Sequence, residues 1–369
     1  MENMTIPLKE FDWDTEMEPY LRGSLEFIVM YVILPIFAFI GITGNVSIIL
    51  VLIINKNMYN SLNFYLLNLA MSDCLFLLVA PVSFWIMHLD SPFKPNFDQS
   101  MYPPEYCKFN AYIINSTYQL SSTFTMAISA ERFWAIVKPL EYRRYLSKKR
   151  TLKICGVIWI VILLNQSRNL FVFGKERLDF PWPDMTHGVP NSTAICAYCA
   201  GFEPRVCEAM DILALVDVIL SLFVILLMII MYGMVFVSIR GTFNKSVNDS
   251  SSIYVSNRVS YEMKALRTVI ITVSVYIIFT APLNTLYIFD KYVFVNDDSI
   301  VFFLNVFQLL AFVNSAINPI IYNLSNESYR HALFNSCGVT TTVVNNSRSC
   351  TNKMNSSLSL STVVVSTIS

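Results

Sequence analysis

The sequence predicts an all-α membrane protein, a bundle of seven transmembrane helices followed by a short amphipathic eighth helix. Three observations carry that expectation: an apolar composition, seven long apolar stretches, and cationic residues sorted to one side of them. Of 369 residues, 54% are hydrophobic and only 14% are charged, more apolar surface than a soluble domain can hide. The formal net charge of zero says little, because the charges are segregated along the chain. His88, His187 and His331 are the three histidines, far apart, so a histidine-rich metal centre is not expected. No nucleophile–base pair or metal-ligand set stands out, and the chain does not read as an enzyme.

The apolar stretches lie near 25–54, 62–88, 105–137, 149–173, 209–240, 261–291 and 299–323. Each is long enough, at about 1.5 Å per residue, to cross roughly 30 Å of hydrocarbon. The first 24 residues are acidic and polar, without the basic and apolar regions of a cleavable signal peptide. Residues 1–24 therefore read as an acidic N-terminus, 25–323 as the membrane domain, 324–337 as an amphipathic helix and 338–369 as a disordered tail. Tyr329, Leu333 and Phe334 recur at helical spacing in that short helix, which suits the inner leaflet. The tail is rich in Ser, Thr, Asn and Val.

Lys138, Arg143, Arg144, Lys148, Lys149, Arg150 and Lys153 follow the third span, and Arg240, Lys245 and Arg258 follow the fifth. Glu10, Asp12, Asp14, Glu16 and Glu18 precede the first span, and Asp290, Asp297 and Asp298 flank the last loop. The positive-inside rule then places the N-terminus outside and the C-terminus in the cytoplasm of a multi-pass plasma-membrane protein.

Ionisable groups at mid-membrane need a reason. Asp73 lies about 16 Å up the second span from Leu62, and Ser121 about 16 Å from Arg132 on the third. Asn314, Ser315 and Asn318 fall at a similar depth on the seventh span. Oxygen ligands on three helices can hold a sodium ion or share a proton; a hydrogen-bonded cluster without an ion fits the same spacing. Arg132 is about 37 Å of helix from Cys107, which sets it at the cytoplasmic mouth beside Glu131. A contact with Glu262, at the start of the sixth span, would hold two helix ends together. A pair of solvated boundary charges is the plainer alternative.

These residues together resemble the rhodopsin-like (class A) G-protein-coupled receptors, over about Gly41 to Cys337. The matching positions are Gly44-Asn45, Leu69-Ala70-Met71-Ser72-Asp73, Cys107, Glu131-Arg132-Phe133, Trp159, Tyr232, Pro282 and Asn318-Pro319-Ile320-Ile321-Tyr322. The resemblance implies that Asp73, Ser121, Asn314, Ser315 and Asn318 form an allosteric sodium pocket. It implies that Arg132 and Glu262 form an ionic lock, with Tyr232 and Tyr322 closing behind Arg132 on activation. Heterotrimeric G proteins, arrestin and a receptor kinase are the implied partners, beside the membrane lipids; nothing points to nucleic acid. The sequence departs from the family at Thr280, where the sixth-span tryptophan is usual, at Tyr276, where phenylalanine is usual, and at Val224, where the fifth-span proline is usual.

The resemblance also implies one disulfide from Cys107 to the loop before the fifth span, with Cys196, Cys199 and Cys207 all eligible and the other two free to bridge locally. It argues against an amine ligand, because Ile114 stands where an aspartate would, and against a retinal ligand, because Phe312 stands where a lysine would. The acidic and aromatic segment Glu10–Tyr20 suits a cationic peptide of the neuropeptide type. Trp85, His88, Asp217, Asn284, Tyr287, Asp290 and Gln308 are candidates to line its pocket. Asp217 wants a cation, supplied either by the ligand or by Arg168. Asn3 and Asn191 begin glycosylation sequons, and Cys337 has palmitoylation-like spacing. A lipid or metabolite receptor is the alternative of the same fold; a transporter or channel would need a charged path and repeat symmetry that the sequence does not display.

Overall fold

The structure, a computed structural model, describes residues 28–89, 102–145, 147–179, 192–248, 270–271, 273–286, 298–325 and 327–336. Among the described residues, six long helical segments and a shorter described part of a further span follow one another in the expected order. The first span opens as a π-helical turn, Val29–Ile33, and continues as α-helix over Leu34–Ile54. It stops at Asn55, whose amide donates to the Val51 carbonyl at 2.9 Å. The second span, Ser61–Leu89, starts where the Asn60 side chain accepts from the Asn63 backbone N–H at 2.9 Å, an N-cap that satisfies one orphan donor. The third, Pro104–Val137, has proline at its first turn, where the missing N–H costs nothing.

Two segments differ from the sequence expectation. The fourth span does not run to residue 173 as one helix. Lys148–Gln166 ends at a turn through Ser167 and Arg168, a single helical turn Asn169–Val172 follows, and the chain then becomes strand β1, Phe173–Asp179. The fifth span overruns both expected ends, covering Pro204–Asn248. At 45 residues it is about 68 Å long, roughly twice the hydrocarbon thickness. The described part of the sixth span includes Val273–Leu286. The seventh is Asp298–Ser325, and the amphipathic helix is Glu327–Ser336, both close to expectation.

Strand β1 pairs antiparallel with β2, Ser192–Tyr198, in register from Phe173 opposite Tyr198 to Asp179 opposite Ser192. This hairpin lies at the same end of the bundle as Cys107. Cys199 adopts φ 65° and Gly201 φ 76°, so the chain turns tightly from β2 into the fifth span.

The third span is the axis of the bundle, with Leu120 and Phe124 fully buried. Around it Leu69, Ile128, Val51 and Tyr322 form one apolar cluster, and Leu34, Phe76, Leu77 and Phe312 form another nearer the hairpin end. The first and seventh spans approach closely: a Cβ on Gly41 would lie 2.8 Å from the Ala316 backbone, and one on Gly44 2.7 Å from Pro319. Polar contacts join helices where lipid offers no partner. The Trp159 indole donates to Asn68 at 2.8 Å, and Thr151 to Ser61 at 2.9 Å. Phe39, Leu164 and Val237 are about 70% exposed, an outward apolar surface that only a bilayer can cover.

Candidate functional site

Halfway along the bundle the backbone of each helix satisfies itself, so any side-chain carboxylate must find donors on neighbouring helices. Asp73 is fully buried. Its Oδ1 accepts from the Ser121 hydroxyl at 2.6 Å and its Oδ2 from the Asn318 amide at 2.8 Å. Ser315, buried on the seventh span, is a further polar neighbour. Asn45, on the first span, donates to the Ser315 carbonyl at 3.1 Å, while its own side-chain oxygen has no partner among the described residues. Asn314 is buried beside this group. The helical-rise argument therefore brings second, third and seventh spans together as expected, and adds Asn45. The set offers one carboxylate with amide and hydroxyl oxygens, the chemistry of a small hard cation.

Toward the hairpin the bundle opens into a cavity of about 620 Å³. Among the described residues, its charged lining is Arg168, Asp211 and Asp217, one positive and two negative. Arg168 sits at the break that ends the fourth span and donates to Asp217 on the fifth. Asn165 donates to Asp217 Oδ1 at 3.1 Å and Gln166 to Oδ2 at 3.0 Å. Gln166 also donates to Gln119 on the third span at 2.6 Å. Of the two partners open to Asp217, the structure supplies the internal one, Arg168. Sequence reasoning missed the wider amide network; its signal was the run Asn165-Gln166 inside an apolar span.

The hairpin is held over this cavity by two disulfides. Cys107 pairs with Cys196, Cα atoms 5.3 Å apart, and Cys199 with Cys207, 5.7 Å apart. Sequence reasoning left three partners for Cys107. Cys207 lies in the first turns of the fifth helix and Cys199 at the left-handed turn, so Cys196, in the β2 strand, is the one that meets the third span. Burial and Asp211 both raise the pKa of the Tyr198 hydroxyl on β2, burial the more.

At the other end of the third span Glu131 accepts from the Tyr142 hydroxyl at 2.8 Å. Tyr142 belongs to the short helix Pro139–Tyr145. Arg132 is adjacent, and its Nε is buried without a partner among the described residues. Tyr232 and Tyr322 both lie within electrostatic reach of Arg132.

Asn284 and Gln308 line the cavity, and Asn284 donates to Ser221 at 2.9 Å. Trp85 and His88 belong to the second helix; their side chains are not among those described. Glu262, Tyr287, Asp290, Asn3, Asn191 and Cys337 lie outside the described residues. Ser122, Ser221 and Tyr276 line the cavity without having been anticipated there, since single serines on apolar helices carry no positional signal.

The profile of the "7 transmembrane receptor (rhodopsin family)" matches residues 44–322. Human neuromedin-U receptor 2 is 26% identical over 314 residues, covering 83% of this chain and 71% of the relative. The human motilin receptor is 23% identical, covering 80% of this chain and 77% of its own. The tachykinin-like peptides receptor 99D of Drosophila melanogaster is 24% identical, covering 78% of this chain and 53% of the relative. With the family profile spanning most of the seven-helix bundle, this chain belongs to the rhodopsin family of seven-transmembrane receptors, and it is a receptor of the plasma membrane, not an enzyme.

Proposed function

We propose that the chain is a receptor for an extracellular, cationic, neuropeptide-like ligand and that it activates heterotrimeric G proteins at the opposite face. The observation that carries this reading is the cavity of about 620 Å³ beneath the disulfide-held hairpin, at the far end of the third span from Arg132. The relatives agree: they are receptors for neuromedin U, motilin and tachykinin-like peptides. The acidic segment Glu10–Glu18 supports a cationic ligand. The distribution of Lys and Arg supports an extracellular N-terminus and a cytoplasmic C-terminus.

In this reading Asp73, Ser121, Asn314, Ser315 and Asn318 hold a sodium ion in the resting state. Arg132 and Glu262 latch the third and sixth spans, and ligand binding favours the parted conformer, in which Tyr232 and Tyr322 close behind Arg132. Glycans at Asn3 and Asn191, a palmitoyl group at Cys337, and arrestin and receptor kinase as later partners complete the proposal. The test is a screen of neuropeptides, neuromedin U and motilin among them, on cells expressing the chain, read as nucleotide exchange on G proteins. Activation by a peptide, weakened by Asp290→Asn, is expected. Activation by neutral lipids alone, with that variant responding normally, overturns it.

A further inference from the structure

The fourth span, Lys148–Gln166, has 19 residues, about 28 Å of helix and close to the hydrocarbon thickness. Thr151, Cys155, Ile162 and Gln166 are buried and mark its inward face, where Thr151 bonds to Ser61 of the second span. At about 100° per residue, the opposite face carries Lys149, Lys153, Gly156, Ile160 and Leu164. All five are exposed, so one stripe toward the bilayer begins with two lysines and continues as apolar surface. Gly156 leaves the backbone bare in the middle of it, since an added Cβ would meet nothing within 4 Å.

Lys153 stands five residues in from Lys148, about 7.5 Å along the helix, a depth at which an unpaired ammonium is costly. Its stem runs back toward the headgroups and to Lys149, whose Cβ is about 6 Å away. Neither lysine has a carboxylate partner among the described residues. The nearest acids in sequence are taken: Glu141 pairs with Lys138 at 3.4 Å, and Glu131 accepts from Tyr142. Arg150 lies over the Tyr145 ring at 5.5 Å. That contact ties the short helix Pro139–Tyr145, with its exposed Arg143 and Arg144, to the foot of the same span. Four cations thus border one strip of membrane surface, on the side of the bundle. A zwitterionic headgroup brings them no net charge, and a singly charged one answers a single lysine. A headgroup with several phosphates answers the set, while its acyl chains lie along Gly156, Ile160 and Leu164.

We propose that Lys149 and Lys153, with Arg143 and Arg144 beside them, bind a phosphoinositide that carries more than one ring phosphate. The site rests on the unpaired charges and the bilayer-facing stripe, and on neither the orientation of the chain nor the nature of its extracellular ligand. Native mass spectrometry of the full chain in detergent tests it, with phosphatidylinositol bisphosphate, phosphatidylserine and soluble inositol trisphosphate added separately at equal concentration. The bisphosphate lipid is expected to bind at least fivefold more tightly than either of the others. Lys149→Gln with Lys153→Gln should weaken it at least fivefold and leave thermal unfolding in place, whereas Arg205→Gln, an exposed cation at the far end of the bundle, should change nothing. Equal binding of phosphatidylserine overturns the polyphosphate headgroup, and equal binding of the soluble headgroup overturns the lipid. Binding that ignores the double substitution overturns the site. So does a double variant that keeps the lipid but loses basal nucleotide exchange in lipid-free detergent, which would give the stripe to the G protein instead.

Discussion

Arg168 donates to Asp217, tying the end of the fourth span to the fifth across the cavity wall. Both side chains are mostly buried, at 15% and 18% exposure. Removing one charge strands the other, which costs more than replacing both by apolar groups. Arg168→Met is therefore expected to destabilise the chain by about 3 kcal/mol, and the double variant Arg168→Met with Asp217→Leu to recover most of that loss. Thermal unfolding in detergent with a thiol-reactive dye checks it; equal loss in the single and double variants would show the pair to be idle.

The two disulfides close loops of very different length, with sequence separations of 89 and 8. Loop-closure entropy makes the longer one worth about 4–5 kcal/mol and the shorter about 2.5 kcal/mol. Cys107→Ser with Cys196→Ser should lower the unfolding temperature distinctly more than Cys199→Ser with Cys207→Ser. The reverse order would mean that the local bridge organises the hairpin.

If Asp73 and its oxygen neighbours hold sodium, exchanging potassium for sodium should lower basal nucleotide exchange at least twofold. Asp73→Asn removes the carboxylate charge while keeping the size of the side chain, and should abolish that difference. A sodium response that survives the substitution places the ion elsewhere.

Burial first, and then the Glu131 carboxylate it donates to, hold the Tyr142 phenol above its ordinary pKa. A raised value means the contact is complete below the ordinary pKa of about 10 and is lost only above it. Stability from this contact should be flat between about pH 6 and pH 9. Tyr142→Phe should remove about 1.5 kcal/mol throughout that window, measured by thermal unfolding at three pH values. A loss that grows with pH would contradict the assignment.

The first span can approach the seventh only because Gly41 has no side chain: an added Cβ would lie 2.8 Å from the Ala316 backbone. Gly41→Val is expected to cost about 1–3 kcal/mol through overpacking and to reduce surface expression. Gly156, where an added Cβ meets nothing within 4 Å, is the control. Equal expression of Gly41→Val and Gly156→Val would show that the two spans can part freely.

Much of this architecture is legible in the chain itself, because a bilayer leaves few options. Apolar lengths become helices wherever the chain is described, and the helical rise alone brings Asp73, Ser121 and Asn318 to one depth, where they bond. Helix ends are less legible. The polar turns of the fifth span beyond residue 240 read like loop until the helix is seen to continue to Asn248. The fourth span breaks at Ser167 and Arg168 without a proline or glycine to announce it. Pairings are least legible of all. Either Arg168 or a ligand would satisfy the charge of Asp217, and any of three cysteines could reach Cys107, so only the folded geometry chooses.

Cys196 and Cys199 lie three positions apart, one fastened to the third span and the other to the start of the fifth. A ribbon riveted at two such close points has no arm on which to swing. Such fastening limits how far the roof above the cavity can lift. Mild reduction should accordingly shorten the dwell time of a bound molecule before it loosens the bundle below.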